Sequence, residues 1–184
     1  VLTAEEAAVV AEFDARMGEL EVLQQGDFEG IFRAMDGLPV VVRLIDPPLH
    51  EFLPNRDDLI EQVTRFDALG TPADDPVYAE ARRLLKAATA MKEQNPMLGL
   101  RGCRLGIMIP DFVKIQTRAI LNAQVAVRKA GGNPIAKIMI PLVGHVNELR
   151  VTRRLLEAEA NKIAAAAGVS LDYKFGTMIE IPRG

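Results

Sequence analysis

Three charged residues sit where polar groups are not expected in this chain: Arg43, Arg101 and Glu180. Arg43 lies late in the run PVVVRLID (39–46), Arg101 interrupts the Gly-punctuated stretch NPMLGLRGCRLGIMIP (95–110), and Glu180 lies late in YKFGTMIEIP (173–182). A charge set among Val, Ile and Met costs several kcal/mol unless it is paired or ligand-bound. Arginine offers a planar fork that matches carboxylate or phosphate, and a carboxylate is an ordinary hard ligand for Mg²⁺. Two arginines and one carboxylate converging would therefore suit a small anionic substrate held beside a divalent cation. Read from the residues alone, Arg43 could equally be a structural arginine paired with Asp46 or Glu51, and Arg104 competes with Arg101 as the ligand.

The remaining chemistry-bearing residues point elsewhere. His50 and His145 are the only histidines. His50 reads as a hydrogen-bonded structural residue, and His145, at a loop-to-helix junction, as exposed or capping. Cys103 is the single cysteine, so no internal disulfide can form; a reducing cytosol is the expected setting, and the thiol reads as a small buried apolar group.

The elements that would position Arg43, Arg101 and Glu180 follow from periodicity. Residues 3–24 read as a helix with Thr3 and Glu6 as a capping box, followed by a second helical stretch over 26–35 that ends at Gly37. PVVVRLID (39–46) has a buried-strand signature. Residues 53–75 read as a surface insertion, 76–93 as a helix, and 95–110 as holding a short strand near its centre. A helix over 111–130 stops at Gly131-Gly132, IAKIMIPLVG (135–144) is a strand, 146–167 is a helix closed by Gly168, and 173–182 is the last strand. Strands separated by full helices run parallel, and in such folds the chemistry sits where strands end and βα loops begin. The expected class is α/β: a barrel or a doubly wound sheet, with four strands.

Composition bounds the rest. The 184 residues carry a net charge of −3, which excludes a general nucleic-acid surface, since that needs a basic stripe. No apolar run approaches the roughly 20 residues of a membrane helix. The start at Val1 and the stop after an apolar run look like cuts through a longer protein.

Four segments carry a resemblance. VVRLIDPPLHEFLP (41–54), NPMLGLRGCRLG (95–106), IMIPLVG (138–144) and GTMIEIPR (176–183), with the lead-in GDFEGIFRAMDGLPV (26–40), resemble the C-terminal domain of the pyruvate, phosphate dikinases, among the PEP-utilising enzymes. The resemblance implies the central portion of a (β/α)₈ barrel, about four of its eight strands, with residues 1–184 as a partial phosphoenolpyruvate/pyruvate-binding domain and a helical surface insertion around 53–93. It implies Mg²⁺ as cofactor, Arg43 and Arg101 as substrate-binding arginines, and Glu180 as substrate-binding and metal-ligating. It also implies a cytoplasmic homodimer in which a phosphohistidine on another domain of the same enzyme visits the barrel. The family's phosphohistidine, its proton-donor cysteine and its second metal carboxylate have no counterpart here, so the chain alone is expected to be inactive. The kindred barrels of phosphoenolpyruvate synthase and of phosphotransferase-system enzyme I, and a non-catalytic dimerisation module, are the competing expectations.

Overall fold

Thr3 starts the first element as its sequence suggests: its Oγ1 accepts the Glu6 N–H at 3.2 Å while Glu6 Oε2 accepts the Thr3 N–H at 2.8 Å. In the computed structural model, which describes residues 3–47, 54–90 and 98–184, the helix then runs unbroken as α1, Ala4–Ala34. The two helices expected over 3–24 and 26–35 are therefore one. Gly26 and Gly30 cost roughly 1 kcal/mol each in a helix interior, and neither breaks α1 because Phe28 and Phe32 anchor its C-terminal half in the core.

Gly37, at φ +75°, turns the chain into β1, Pro39–Arg43. β1 pairs in parallel with β2, Ile135–Ile140, and β2 in parallel with β3, Tyr173–Thr177. The strand order β1-β2-β3 follows the sequence without reversal. Register sets Arg43 beside Met139, and Met139 beside Gly176.

Two long helices cover one face of this sheet. α5, Pro110–Lys129, takes proline at its first turn, and its Ala119, Ile120, Leu121 and Ala123 are wholly buried. α6, Val146–Ala167, ends on Gly168 in the left-handed region, the usual C-terminal stop. Ile138, Ile140, Ile120, Leu121 and Leu156 pack with Phe32 and Leu44 into one aliphatic cluster.

The strand expected near the centre of 95–110 is corrected by the structure. Residues 102–108 form a short helix, α4, Gly102–Met108, and three strands, not four, are present among the described residues. The reason is tertiary: Gly102 adopts φ +57° with Asp46, Pro141 and Leu142 within about 3 Å of where a Cβ would stand, and the following turn buries Cys103 and Leu105. The last strand is likewise shorter than the expected 173–182; it stops at Thr177, where the Met178 N–H bonds to Ile140 O at 3.1 Å.

The chain divides into two compact units, one made of Val1–Asp46 with Gly102–Gly184, the other of Pro47–Arg101. The second contains two helices, α2, Arg56–Ala68, and α3, Pro76–Ala90. Asn55 caps α2 through the Asp57 N–H at 2.8 Å, and Asp75 Oδ1 accepts the N–H groups of Val77 and Tyr78 at 3.0 Å each. Tyr78 donates to Asp67 and packs on Phe66, tying α2 to α3. No helix among the described residues is long and apolar enough to cross a membrane.

Candidate active site

The C-terminal sides of β1 and β3 carry the candidate polar residues. Arg43 is the last residue of β1; three residues on, Asp46 is buried, with a side chain only 3% exposed. The Arg43 Nη2 donates to Asp46 Oδ2, while the guanidinium side chain remains 44% exposed. A buried carboxylate thus anchors an arginine whose other donors face outward.

The loop that carries Asp46 is fixed from behind. Buried Gln116 of α5 accepts the Ile45 N–H at 2.7 Å, and the Leu44 N–H extends the β1–β2 ladder to Met139 O at 3.0 Å. Gly102 then fills the space beside Asp46: a Cβ there would lie 2.9 Å from Asp46 Oδ1, 3.0 Å from Leu142 Cβ and 3.1 Å from Pro141 O. Only glycine satisfies both that contact and the positive φ.

Glu180 reaches the same place from β3. It lies three residues past the strand, is exposed, and its Oε1 accepts the Leu142 N–H at 2.7 Å. Leu142 is the one non-glycine among the described residues with positive φ, at +57°. A leucine in the left-handed region costs of order 1 kcal/mol or more, and the Glu180 carboxylate helps hold it there. Gly102 is thus packed against both Asp46 and the Pro141-Leu142 turn, whose Leu142 N–H is held by Glu180.

The sequence-predicted site residues divide as follows. Arg43 and Glu180 belong to one unit, at the C-terminal sides of β1 and β3, with β2 between them. Arg101 is the last residue of the other unit, peptide-bonded to Gly102, with its N–H on Gly99 O at 3.0 Å. Arg104 lies on α4. Sequence reasoning treated Asp46 only as a rival partner for Arg43, and it missed Gln116 and Leu142. The spacing of Arg43 and Asp46 was a usable signal; nothing in the sequence marks Leu142.

Cys103 and His145 behave as expected. Cys103 is 1% exposed, its thiol donates to Leu142 O at 3.3 Å, and burial with the nearby Glu148 carboxylate pushes its pKa up to about 11. A neutral thiol of this kind is no nucleophile at neutral pH. His145 is the N-cap of α6: its Nδ1 accepts the Asn147 N–H at 3.1 Å, while Glu148 Oε2 accepts the Gly144 and His145 N–H groups at 2.9 and 3.1 Å. His50 lies outside the described residues.

The family model for the PEP-utilising enzymes, PEP-binding domain, matches residues 2–184. This chain belongs to the PEP-utilising enzymes. Its place in that family is its PEP-binding domain, and its curated relatives agree. It is 47% identical over 174 residues to the chloroplastic pyruvate, phosphate dikinase of Flaveria pringlei, covering 92% of this chain and 17% of the relative. The chloroplastic dikinase of Mesembryanthemum crystallinum is 48% identical over 168 residues, with 91% and 17% covered. Pyruvate, phosphate dikinase 2 of Zea mays is 46% identical over 160 residues, with 87% and 17% covered. The chain of this PEP-utilising enzyme thus spans about a sixth of the length of these relatives.

Proposed function

We propose that the chain is the phosphoenolpyruvate/pyruvate-binding portion of a pyruvate, phosphate dikinase, built on part of a (β/α)₈ barrel. The observation that carries this reading is a half-exposed Arg43 held by buried Asp46 at the end of β1, together with an exposed Glu180 past the end of β3 that accepts the N–H of the strained Leu142. Parallel strands in sequential order, with Arg43 and Glu180 at or past the C-terminal ends of β1 and β3, support the barrel. The relatives' printed names favour the dikinase over phosphoenolpyruvate synthase or enzyme I, and over a purely structural module.

In this reading Arg43 and Arg101 hold the substrate's phosphoryl or carboxylate oxygens, Arg43 exchanging part of its bond to Asp46 for the ligand. Preorganised cations of this sort act by meeting charge as it develops during transfer, not by covalent chemistry. Glu180 fits a magnesium ligand: it is exposed, and among the described residues only its Oε1 is engaged, by one N–H. Among the described residues no group of three or more His, Cys, Asp or Glu side chains gathers to hold a metal. Glu180 therefore serves as a single anchoring carboxylate, the arrangement in which Mg²⁺ keeps waters and substrate oxygens as its other ligands. Bound there, Mg²⁺ supplies positive charge beside the substrate oxygens.

The phosphoryl group arrives from a phosphohistidine domain of the same enzyme, and the enzyme is a homodimer in a reducing compartment, the cytoplasm or the plastid named for several relatives. Equilibrium binding of phosphoenolpyruvate with Mg²⁺ to the dikinase that carries this chain tests the reading. Arg43→Met and Glu180→Gln should each weaken binding at least about tenfold; unchanged binding in both would end it.

A further inference from the structure

One face of the sheet is packed under α5 and α6; the other is not. On the packed side lie Ala136, Ile138 and Ile140 with Val40, Val42, Tyr173 and Phe175. The alternate residues form the second face in rows set by the parallel register: Pro39 with Ile135, then Val41 with Lys137 and Lys174, then Arg43 with Met139 and Gly176. Val41 is 56% exposed and Lys174 is exposed.

The middle row is electrostatically incomplete. Lys137 and Lys174 are direct partners on neighbouring strands, so their backbones stand about 4.8 Å apart, and like charges side by side on one face oppose the pairing. Among the described residues neither lysine side chain has a hydrogen bond or an ion pair. In water the row is tolerable. Under a cover, two ammonium groups without partners would cost far more than the sheet could bear.

The charge selects the occupant. A second copy related by a two-fold axis would bring lysine row onto lysine row. A wholly apolar layer would strand both charges. The flanking Val41, Ile135 and Met139 call for an apolar partner surface that carries acids at one level only. We propose that, in the intact enzyme, this face is covered by further strands of the same barrel that set carboxylate side chains against the Lys137–Lys174 row. This makes a buried ion-pair layer one pleat below Arg43. The inference rests on the barrel reading given above, and it adds a requirement on the covering strands that the reading itself does not contain. Its consequence for the site is positional: the layer ties β2 and β3 to the covering strands two residues beneath the row that carries Arg43.

Trace amine acetylation of the dikinase that carries this chain, read lysine by lysine, tests it. Lys162, on the outer surface with a side chain 71% exposed, is the internal reference. Lys137 and Lys174 should react at least about 30-fold more slowly than Lys162, as groups released only by local opening do. The paired substitution Lys137→Met with Lys174→Met should then lower the thermal midpoint by about 3 °C or more, because it leaves buried carboxylates unpaired. Labelling at the rate of Lys162 overturns the proposal. So does protection combined with a midpoint equal to or above the parent's, since the cover would then hold no acids. If the amines label freely while phosphoenolpyruvate still binds, the ion-pair layer fails and the proposed function stands.

Discussion

Two arginines in this chain show how differently the same side chain can be used. Arg118 of α5 is enclosed by carboxylates: its Nη2 and Nε donate to Glu21 Oε2 at 2.6 and 2.9 Å, its Nη1 lies 3.7 Å from Glu159, and Glu159 in turn holds Lys162 at 2.8 Å. Glu21 belongs to α1 and Glu159 to α6, so the cluster ties three helices together. Hydrogen bonding to Glu21 favours the charged guanidinium and raises its pKa further. Arg43 has one buried carboxylate and remains 44% exposed, and the exposed Glu180, past β3, has one oxygen with no partner among the described residues. A saturated cluster in the helical layer holds the fold, whereas an unsaturated pair at the strand ends is open to a ligand.

Substitutions should separate the two roles. Arg43→Met should reduce turnover of the proposed dikinase by about 10²–10³-fold, the usual effect of removing one preorganised charge partner; it also takes that cation from the buried Asp46, so some loss of stability accompanies the loss of turnover. Arg118→Met should affect stability alone. It leaves Glu21 partly buried without its cation and Glu159 with Lys162 in place of two cations, and with the partial exposure of Arg118 discounted the loss is about 1–3 kcal/mol, measured by denaturant unfolding, with the affinity for phosphoenolpyruvate unchanged. Should Arg118→Met abolish binding and Arg43→Met only destabilise, the contrast is inverted.

Gly102→Ala probes the strand ends from the backbone side. The new Cβ would meet Asp46 Oδ1 at 2.9 Å at a φ of +57°, so about 1–3 kcal/mol of strain is expected, together with weaker substrate binding as Asp46 shifts under Arg43. Stability loss without a binding effect would show that Asp46 does not position Arg43. His145→Ala, which removes one cap of α6 and no proposed ligand group, should cost only about 1 kcal/mol and leave binding alone.

The smallest expected effect concerns Cys103. A thiol raised to about 11 from 9.0 carries about 100-fold less thiolate at pH 8 than an ordinary one, so alkylation of the native chain should lag the unfolded chain by at least that factor. The sign for stability follows from the folded state holding its proton more tightly. The contribution is fully present below pH 9 and is lost as pH rises through 11. Rapid native alkylation at pH 8 would place the thiol in a different environment.

Much of this was readable in the sequence, and the failures share a cause. The Thr3–Glu6 box, Gly131 and Gly168 announce helix ends by local chemistry, and the apolar run of β2 announces a strand. Arg43, Glu180 and their element ends follow from charge inside apolar runs. What the sequence hides is settled by distant partners. Gly26 looks like a break until Phe28 and Phe32 dock; Gly102 begins a helix where a strand was expected because Asp46 and Leu142 leave no room for a side chain. Leu142 gives no sign of its left-handed backbone, which depends on an acid 38 residues away. The Arg118–Glu21 bond spans 97 residues, beyond any spacing rule.

The most direct test of the central claim is calorimetric titration of phosphoenolpyruvate with Mg²⁺ into the dikinase carrying this chain, run in parallel on Arg43→Met, Glu180→Gln and Arg118→Met. Loss of at least about tenfold in affinity in the first two, with Arg118→Met binding like the parent, is the predicted result. Parent-like affinity in Arg43→Met and Glu180→Gln would contradict it and remove the strand ends from the site.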